Sequence, residues 1–376
     1  MPWKVQSLMS SKKEFVSLAR PGESNVSEFC RRIGISRKTG YKWINRFRNQ
    51  GQSGLFDKPR RPNHSPGATP LEIKEAIFEI REMHPSWGGR KIRAFLTNLG
   101  LDHAPAGSTI SNILKRNGYI DPQESIKHKP WRRFEAPAAN DLWQMDFKGH
   151  FPIANERCHP FTVLDDHSRY SICLRACANQ EKTTVKDALT DSFRIYGLPR
   201  RILCDNGSPW GTADFENPYT RLVVWMIRMG IEVIHSRPYH PQTLGKDERF
   251  HRTLKTEVLR YCETLDLAAC QSRFDWWRDQ YNTERPHEAL KMAVQASRYS
   301  VSTRGFPETV PQPEYGPDDQ VRRVHKGGRI GYLGREYRIG KAFRGEYVAL
   351  RHTLIDGVMD VYFCNQNIGQ IDLKEP

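Results

Sequence analysis

LWQMDFKGHF (residues 142–151) is an apolar run with a single carboxylate, Asp146, at its centre, and the fold is read outward from it. Trp143, Met145 and Phe147 mark a β-segment apolar enough to be buried, where an aspartate is costly without a purpose. After a turn around Asn155–Glu156, FTVLDDHSRYSICLRAC (161–177) reads as further β-structure. TTVKDALTDSFRIYG (183–197) is an amphipathic helix stopped by Gly197, and PRRILCDNG (199–207) is a short buried strand entering an Asn-Gly turn. A helix over about Asn217–Met229, the strand IEVIHSR (231–237) and a long helix opening near Gly245 follow. Strands first, then helix–strand–helix–strand–helix, predicts a mixed α/β sheet covered by helices.

The chain around this body has 376 residues, which suggests two to four domains at roughly 150 residues each. Lys and Arg number 58 against 43 Asp and Glu, a net charge of +15, with a pI near 9.5 and mean hydropathy of −0.69. No apolar run reaches the roughly 18–20 residues of a membrane span, and MPWKVQSLMSSKKEF lacks a signal-peptide pattern. Secreted and membrane classes are ruled down, and no membrane partner is expected. Eight cysteines form no CxxC pair. Cys158, Cys173 and Cys177 with His159 could be imagined around a metal, but buried small hydrophobes in a reducing cytosol is the better reading.

The charge is lopsided. Residues 1–135 carry 25 Lys/Arg against 12 Asp/Glu, whereas the remaining 241 carry 33 against 31. Within the basic front, VSEFCRRIGISRKTGYKWINRFRNQG (26–51) predicts a short helix (27–32), a turn at Gly34, and a second helix capped by Ser36 and running to about Phe47. Gly40, Trp43, Ile44 and Phe47 gather on one side of it. Lys38, Thr39, Lys42, Asn45 and Arg46 gather on the other, with Arg37 at its start. That is a helix-turn-helix whose second helix would enter a major groove, against the blander reading of a solvated αα-hairpin. Residues 54–70 form a Pro- and base-rich linker whose Arg60 and Arg61 suit a minor groove. Helices over 71–83, 87–100 and 108–120, the last capped by Ser108, predict a second small DNA-binding unit. A second linker spans 121–138 and a third, Pro-rich, spans 300–317. Short β-segments beyond 318, spaced by glycine and Asp-Gly turns, predict a small SH3-like β-barrel.

Three acids stand in telling places. Asp146 lies mid-strand, Asp205 ends the buried strand 202–204, and Glu248 lies in the first turn of GKDERFHRTLKTEVLRY (245–261). On that helix Phe250, Leu254, Val258 and Tyr261 form the core stripe. Glu248 is about 160° from Phe250, so it faces outward with Arg252 and Lys255 beside it. Carboxylates at strand ends and on an adjacent helix can converge on two divalent metals, and hard oxygen donors select Mg²⁺ or Mn²⁺. Plainer readings stand beside this one: an i,i+4 pair of Glu248 with Arg252, or an Asx-turn at Asp205. Asp165, Asp166 and Asp247 also compete for the role.

WQMDFKG, LDDHSRY, CDNGSPWG and RPYHPQTLGKDERFHRTLKTE resemble, in order, the core motifs of bacterial insertion-sequence transposases of the DDE, retroviral-integrase-like superfamily. FCRRIGISRKTGYKWINRF, GLFDKPRRP and HPSWGGRKI at the front and YRIGKAFRGEYVALR and VYFCNQNIGQIDL at the tail extend the resemblance over nearly the whole chain. It implies a helix-turn-helix front end (1–56), a second helical unit (66–120), an RNase H-like catalytic core (136–297) and a C-terminal barrel (318–376). It also implies that Asp146, Asp205 and Glu248, at intervals of 59 and 43 residues, are the catalytic metal ligands for Mg²⁺, with Mn²⁺ as a substitute. The second interval is somewhat long, which suggests an insertion around Trp210–Pro218, and Asp247 stands where relatives usually have an apolar residue. His240, Gln242, Lys246 and Arg249 would contact phosphates. The expected protein is a cytoplasmic, nucleoid-associated bacterial transposase. It would bind double-stranded element ends and target as a homo-oligomer, nicking the ends and joining their 3′-hydroxyls to target DNA. A DNA-binding regulator with an inert core, or a hybrid-cutting nuclease, are the alternatives.

Overall fold

The computed structural model describes residues 8–19, 25–57, 67–120, 135–154, 156–212, 219–236 and 245–374. The chain divides into two compact units, Met1–Ala68 and Thr69–Pro376, each considered by itself.

The first unit holds three helices, α1 (Leu8–Leu18), α2 (Val26–Ile33) and α3 (Arg37–Gln50), then a 3₁₀ turn (Gly51–Leu55). Gly34 ends α2 in the left-handed conformation, and the Ser36 hydroxyl accepts from the Thr39 amide to start α3. The expected turn and cap are both present. Phe15, Cys30, Trp43, Ile44 and Leu55 make its core. Gly40 is obligatory there, because an added Cβ would lie 2.4 Å from Cys30 Sγ and 2.9 Å from Phe15. α1 was not anticipated. Phe47, expected on the core side of α3, is 38% exposed.

The second unit opens with α4 (Leu71–Met83), α5 (Gly89–Asn98) and α6 (Gly107–Arg116) around Ile77, Trp87, Ile92, Ile110 and Leu114. Ser108 does not cap α6: the helix starts one residue earlier, leaving Ala106 at the cap without a side-chain bond. These helices dock on the body. Glu257 accepts from Ser86 Oγ, from Trp277 Nε1 (2.9 Å) and from Arg285 Nη2 (3.2 Å), and Arg90 pairs with Glu288 at 3.1 Å.

The body is built on β1 (Leu142–Phe147), β2 (Phe151–Pro152), β3 (Arg157–Asp165), β4 (Ser171–Cys177), β5 (Arg201–Cys204) and β6 (Glu232–His235). The sheet order is β2-β3-β1-β5-β6 with β4 on β3; β1, β5 and β6 run parallel, and β3 is antiparallel to β1. Helices α7 (Lys182–Tyr196), α8 (Arg221–Arg228), α9 (Gly245–Glu257) and α10 (Leu267–Thr283) cover it. This is the mixed α/β body expected. α9 stops short of the expected stripe: Phe250, Leu254 and Val258 are buried, but Tyr261 lies in a 3₁₀ turn and is 46% exposed.

Residues 300–317 are not a free linker. The Ser302 amide donates to Tyr196 O (2.9 Å), Leu198 N donates to Arg304 O (2.7 Å), and the Arg304 guanidinium donates to Pro199 O and Gly230 O. The expected barrel is not closed either. Strands β7 (Gln320–Arg323), β10 (Tyr347–His352), β11 (Val358–Phe363) and β12 (Gln366–Asp372) form an open antiparallel sheet in the order β12-β11-β10-β7. β8 (Arg329–Tyr332) and β9 (Arg335–Arg338) pair only with each other among the described residues. Closure is unnecessary because Val348, Phe343 and Phe363 join one apolar cluster with Val223 and Ile227 of α8. Gln366 also bonds both the amide and the carbonyl of Val233 (3.1 Å each), covering the free edge of β6.

Candidate active site

The parallel pairing of β1 with β5 sets Trp143 opposite Ile202 and Gln144 opposite Leu203. Two residues further on, the same register brings Asp146 and Asp205 side by side at the C-terminal ends of both strands. One oxygen of each is anchored locally. Asp146 Oδ1 accepts from the Phe147 amide (2.8 Å), and Asp205 Oδ1 accepts from Gly207 N (2.9 Å) and from Trp210 Nε1. Trp210 is buried and stacks on Phe147 with centroids 5.7 Å apart, so the indole that aims Asp205 is itself clamped. A Cβ at Gly207 would stand 3.1 Å from Asp205 Oδ2, tight enough to disturb the carboxylate.

Glu248, in the first turn of α9, is exposed, and its charge is felt at Asp146. It makes no ion pair with Arg252 among the described residues. Burial first, then Asp205, push the Asp146 carboxyl up to about 7, against the pull of the Phe147 amide and Lys148, and Glu248 adds the smallest push. A buried carboxyl raised by neighbouring carboxylates is in the condition that a divalent metal relieves. No three His, Cys, Asp or Glu side chains among the described residues are close enough to hold a single ion as they stand. The two aspartates are the nucleus of a candidate site, with Glu248 near enough to act electrostatically on Asp146.

The competing acids differ. Asp165 and Asp166 are fully buried and fully engaged. Asp165 accepts from Ser168 N and Oγ and from Asn140 N; Asp166 accepts from Ala136 N, Gln144 Nε2 and Lys246 Nζ. Asp247 is also fully buried, but both its oxygens lack a hydrogen-bond partner. Burial, then Asp146 and Asp166, hold its carboxyl far above the usual range.

Among the expected DNA contacts, Lys246 is paired with the fully buried Asp166. Arg249 pairs with Glu288 at 3.2 Å while Arg252 and Lys255 are exposed on α9. In the first unit Arg37, Lys38, Lys42 and Asn45 are exposed on α3, and Lys42 and Arg46 lie over the Trp43 ring at 4.8 and 5.2 Å. The Thr39 hydroxyl is 2.8 Å from Ser36 Oγ and so belongs to the cap. Arg60, Arg61, His240 and Gln242 lie outside the described residues. Two polar residues at the site escaped the sequence reading, Trp210 and His251. Trp210 carries no local signal, whereas a histidine on the apolar face of α9, three residues after Glu248, was a visible anomaly. The cysteines 158, 173 and 177 are buried thiols, as expected.

Residues 136–241 and 229–294 match integrase core domains, and 319–376 match the C-terminal domain of IS481 family transposases. Residues 11–63 match a helix-turn-helix domain and 39–114 a homeodomain-like domain. The chain is 23% identical over 239 residues to an insertion element IS476 protein of Xanthomonas euvesicatoria, an alignment covering 60% of this chain and 64% of that one. It is 22% identical over 278 residues to an insertion element IS407 protein of Burkholderia multivorans, covering 71% and 88%. The HTLV-2 integrase catalytic core domain in complex with magnesium aligns at 16% identity and a TM-score of 0.33, over 44% of this chain and all of that one.

Proposed function

The chain belongs to the IS481-family transposases, with N-terminal helix-turn-helix domains and an integrase core, and we propose that it cuts and joins the DNA of its own element. The placement of Asp146 opposite Asp205, with Glu248 exposed beside them, carries this reading. These three would hold Mg²⁺, or Mn²⁺ in its place. When bound, such ions activate the attacking oxygen and stabilise the leaving oxygen of a phosphodiester. The protein's own part is positional. Trp210 and Gly207 aim Asp205, the Phe147 amide aims Asp146, and Arg252 and Lys255 offer charge to phosphates along α9. Arg37, Lys38, Lys42, Asn45 and Arg46 of α3 read the terminal repeats in the major groove. Arg60, Arg61 and His240 are kept as phosphate contacts on sequence grounds. Residues 1–56, 66–120, 136–297 and 318–376 act as the four domains, and a homo-oligomer pairs two double-stranded ends.

The test is a labelled duplex bearing the DNA that flanks this gene, incubated with wild type or Glu248→Gln in Mg²⁺, Mn²⁺ or EDTA. Specific 3′ nicks made by wild type only with metal support the reading. Tight binding with no cleavage in either metal favours a regulator with an inert core instead.

A further inference from the structure

His251 lies on the buried face of α9, three residues past Glu248, and is 6% exposed. Its Nε2 is 2.8 Å from the Oγ1 of Thr162, a fully buried residue of β3. The same hydroxyl is 2.9 Å from the backbone carbonyl of Asp146, the residue registered opposite Thr162 across the β1–β3 pair. A hydroxyl has one proton, and a carbonyl oxygen only accepts. Thr162 therefore donates to Asp146 O, and His251 Nε2 must carry the hydrogen that Thr162 accepts. In the neutral ring this leaves Nδ1 bare, 3.9 Å from Asp146 Oδ2 and beyond hydrogen-bonding reach.

We propose that His251 is a positioning residue whose relay through Thr162 to Asp146 O locks α9 onto β1, fixing Glu248 against Asp146 and leaving Asp146 Oδ2 unclaimed. The inference rests on the metal-site reading above. Each link lies on a different element, so the relay is a directional tie across helix, central strand and neighbouring strand. Phe250 and Leu254 on this face make apolar contacts that set no register of their own, and Lys246 adds a second polar tie, to Asp166, at the head of the helix. Burial, aided by Lys148, holds the imidazole down to about 3, in keeping with a neutral ring.

Calorimetric titration of the full chain with Mn²⁺, without DNA, tests this. Wild type and Asp146→Asn come first: binding lost in the variant establishes the site, whereas indistinguishable titrations overturn the metal reading and this inference with it. Thr162→Val and His251→Leu are then expected to weaken Mn²⁺ binding about tenfold or more, as loss of an outer-shell partner does. The double variant should be no weaker than the worse single one, since both break one chain. His251→Gln, which keeps an N–H donor at similar reach, should restore most of the affinity. Thermal melts identify folded variants; if His251→Leu does not fold, Thr162→Val and His251→Gln decide. Folded Thr162→Val binding Mn²⁺ like wild type, or His251→Gln as impaired as His251→Leu, overturns the proposal.

Discussion

Two pairs of aspartates stand on this sheet in opposite states. At the end of β3, Asp165 and Asp166 are fully buried, and every carboxylate oxygen has a donor or cation nearby. At the ends of β1 and β5, Asp146 and Asp205 are each held by one oxygen, and the other has no hydrogen bond to a described residue. A satisfied buried carboxylate is architecture, whereas a half-satisfied one beside others of its kind has bonding capacity left for chemistry. Asp247 is a third case, buried and wholly unsatisfied.

The largest expected contrast comes from exchanging the two pairs' fates by mutation. Asp146→Asn or Asp205→Asn should lower strand cleavage on the order of 10²–10³-fold, the scale for removing a preorganised electrostatic group, with no loss of melting temperature. Asp166→Ala should do the reverse. It removes the fully buried carboxylate that faces Lys246 and Arg169 and leaves Ala136 N and Gln144 Nε2 without their acceptor, a loss of about 3–5 kcal/mol in urea unfolding. An Asp166→Ala protein as stable as wild type would dissolve the distinction.

A pH series sharpens it further. Because folding raises the Asp146 carboxyl to about 7, its ionised form opposes the fold above that pH. Metal-free wild type should gain stability relative to Asp146→Asn as pH falls from 7 towards the ordinary aspartate range, and saturating Mn²⁺ should erase the gain. Equal pH profiles for the two proteins would contradict the crowding of charge at this site. Asp247→Val should raise stability by about 1–3 kcal/mol, read from the same melts, because it removes a buried carboxyl that nothing satisfies. The smallest effect is at the front end: Lys42→Ala should reduce the salt slope of end binding by about one unit if it neutralises one phosphate.

Much of this was legible in the residues. The body's strands were readable because each is a short apolar run between turn residues, and the outward face of Glu248 followed from helical spacing alone. What separates Asp165 and Asp166 from Asp146 was not, because their partners, Ala136, Asn140, Gln144 and Lys246, reach them from other parts of the chain. The pairing of Lys246 with Asp166 was hidden for the same reason. The open C-terminal sheet was hidden because closure depends on whether another surface covers its apolar face, and here α8 does. Residues 300–317 read as a linker because proline-rich composition says nothing of the backbone bonds that Arg304 makes to Pro199 and Gly230.

Strand joining tests the central claim most directly. An oligonucleotide duplex ending in the processed 3′-hydroxyl of the element is mixed with a supercoiled target, full-length protein and Mg²⁺ or Mn²⁺. The account predicts joined products with wild type and none with Glu248→Gln, although both shift the duplex equally in a gel. Joining by Glu248→Gln at the wild-type rate would show that the glutamate on α9 is not part of the chemistry and would contradict the account.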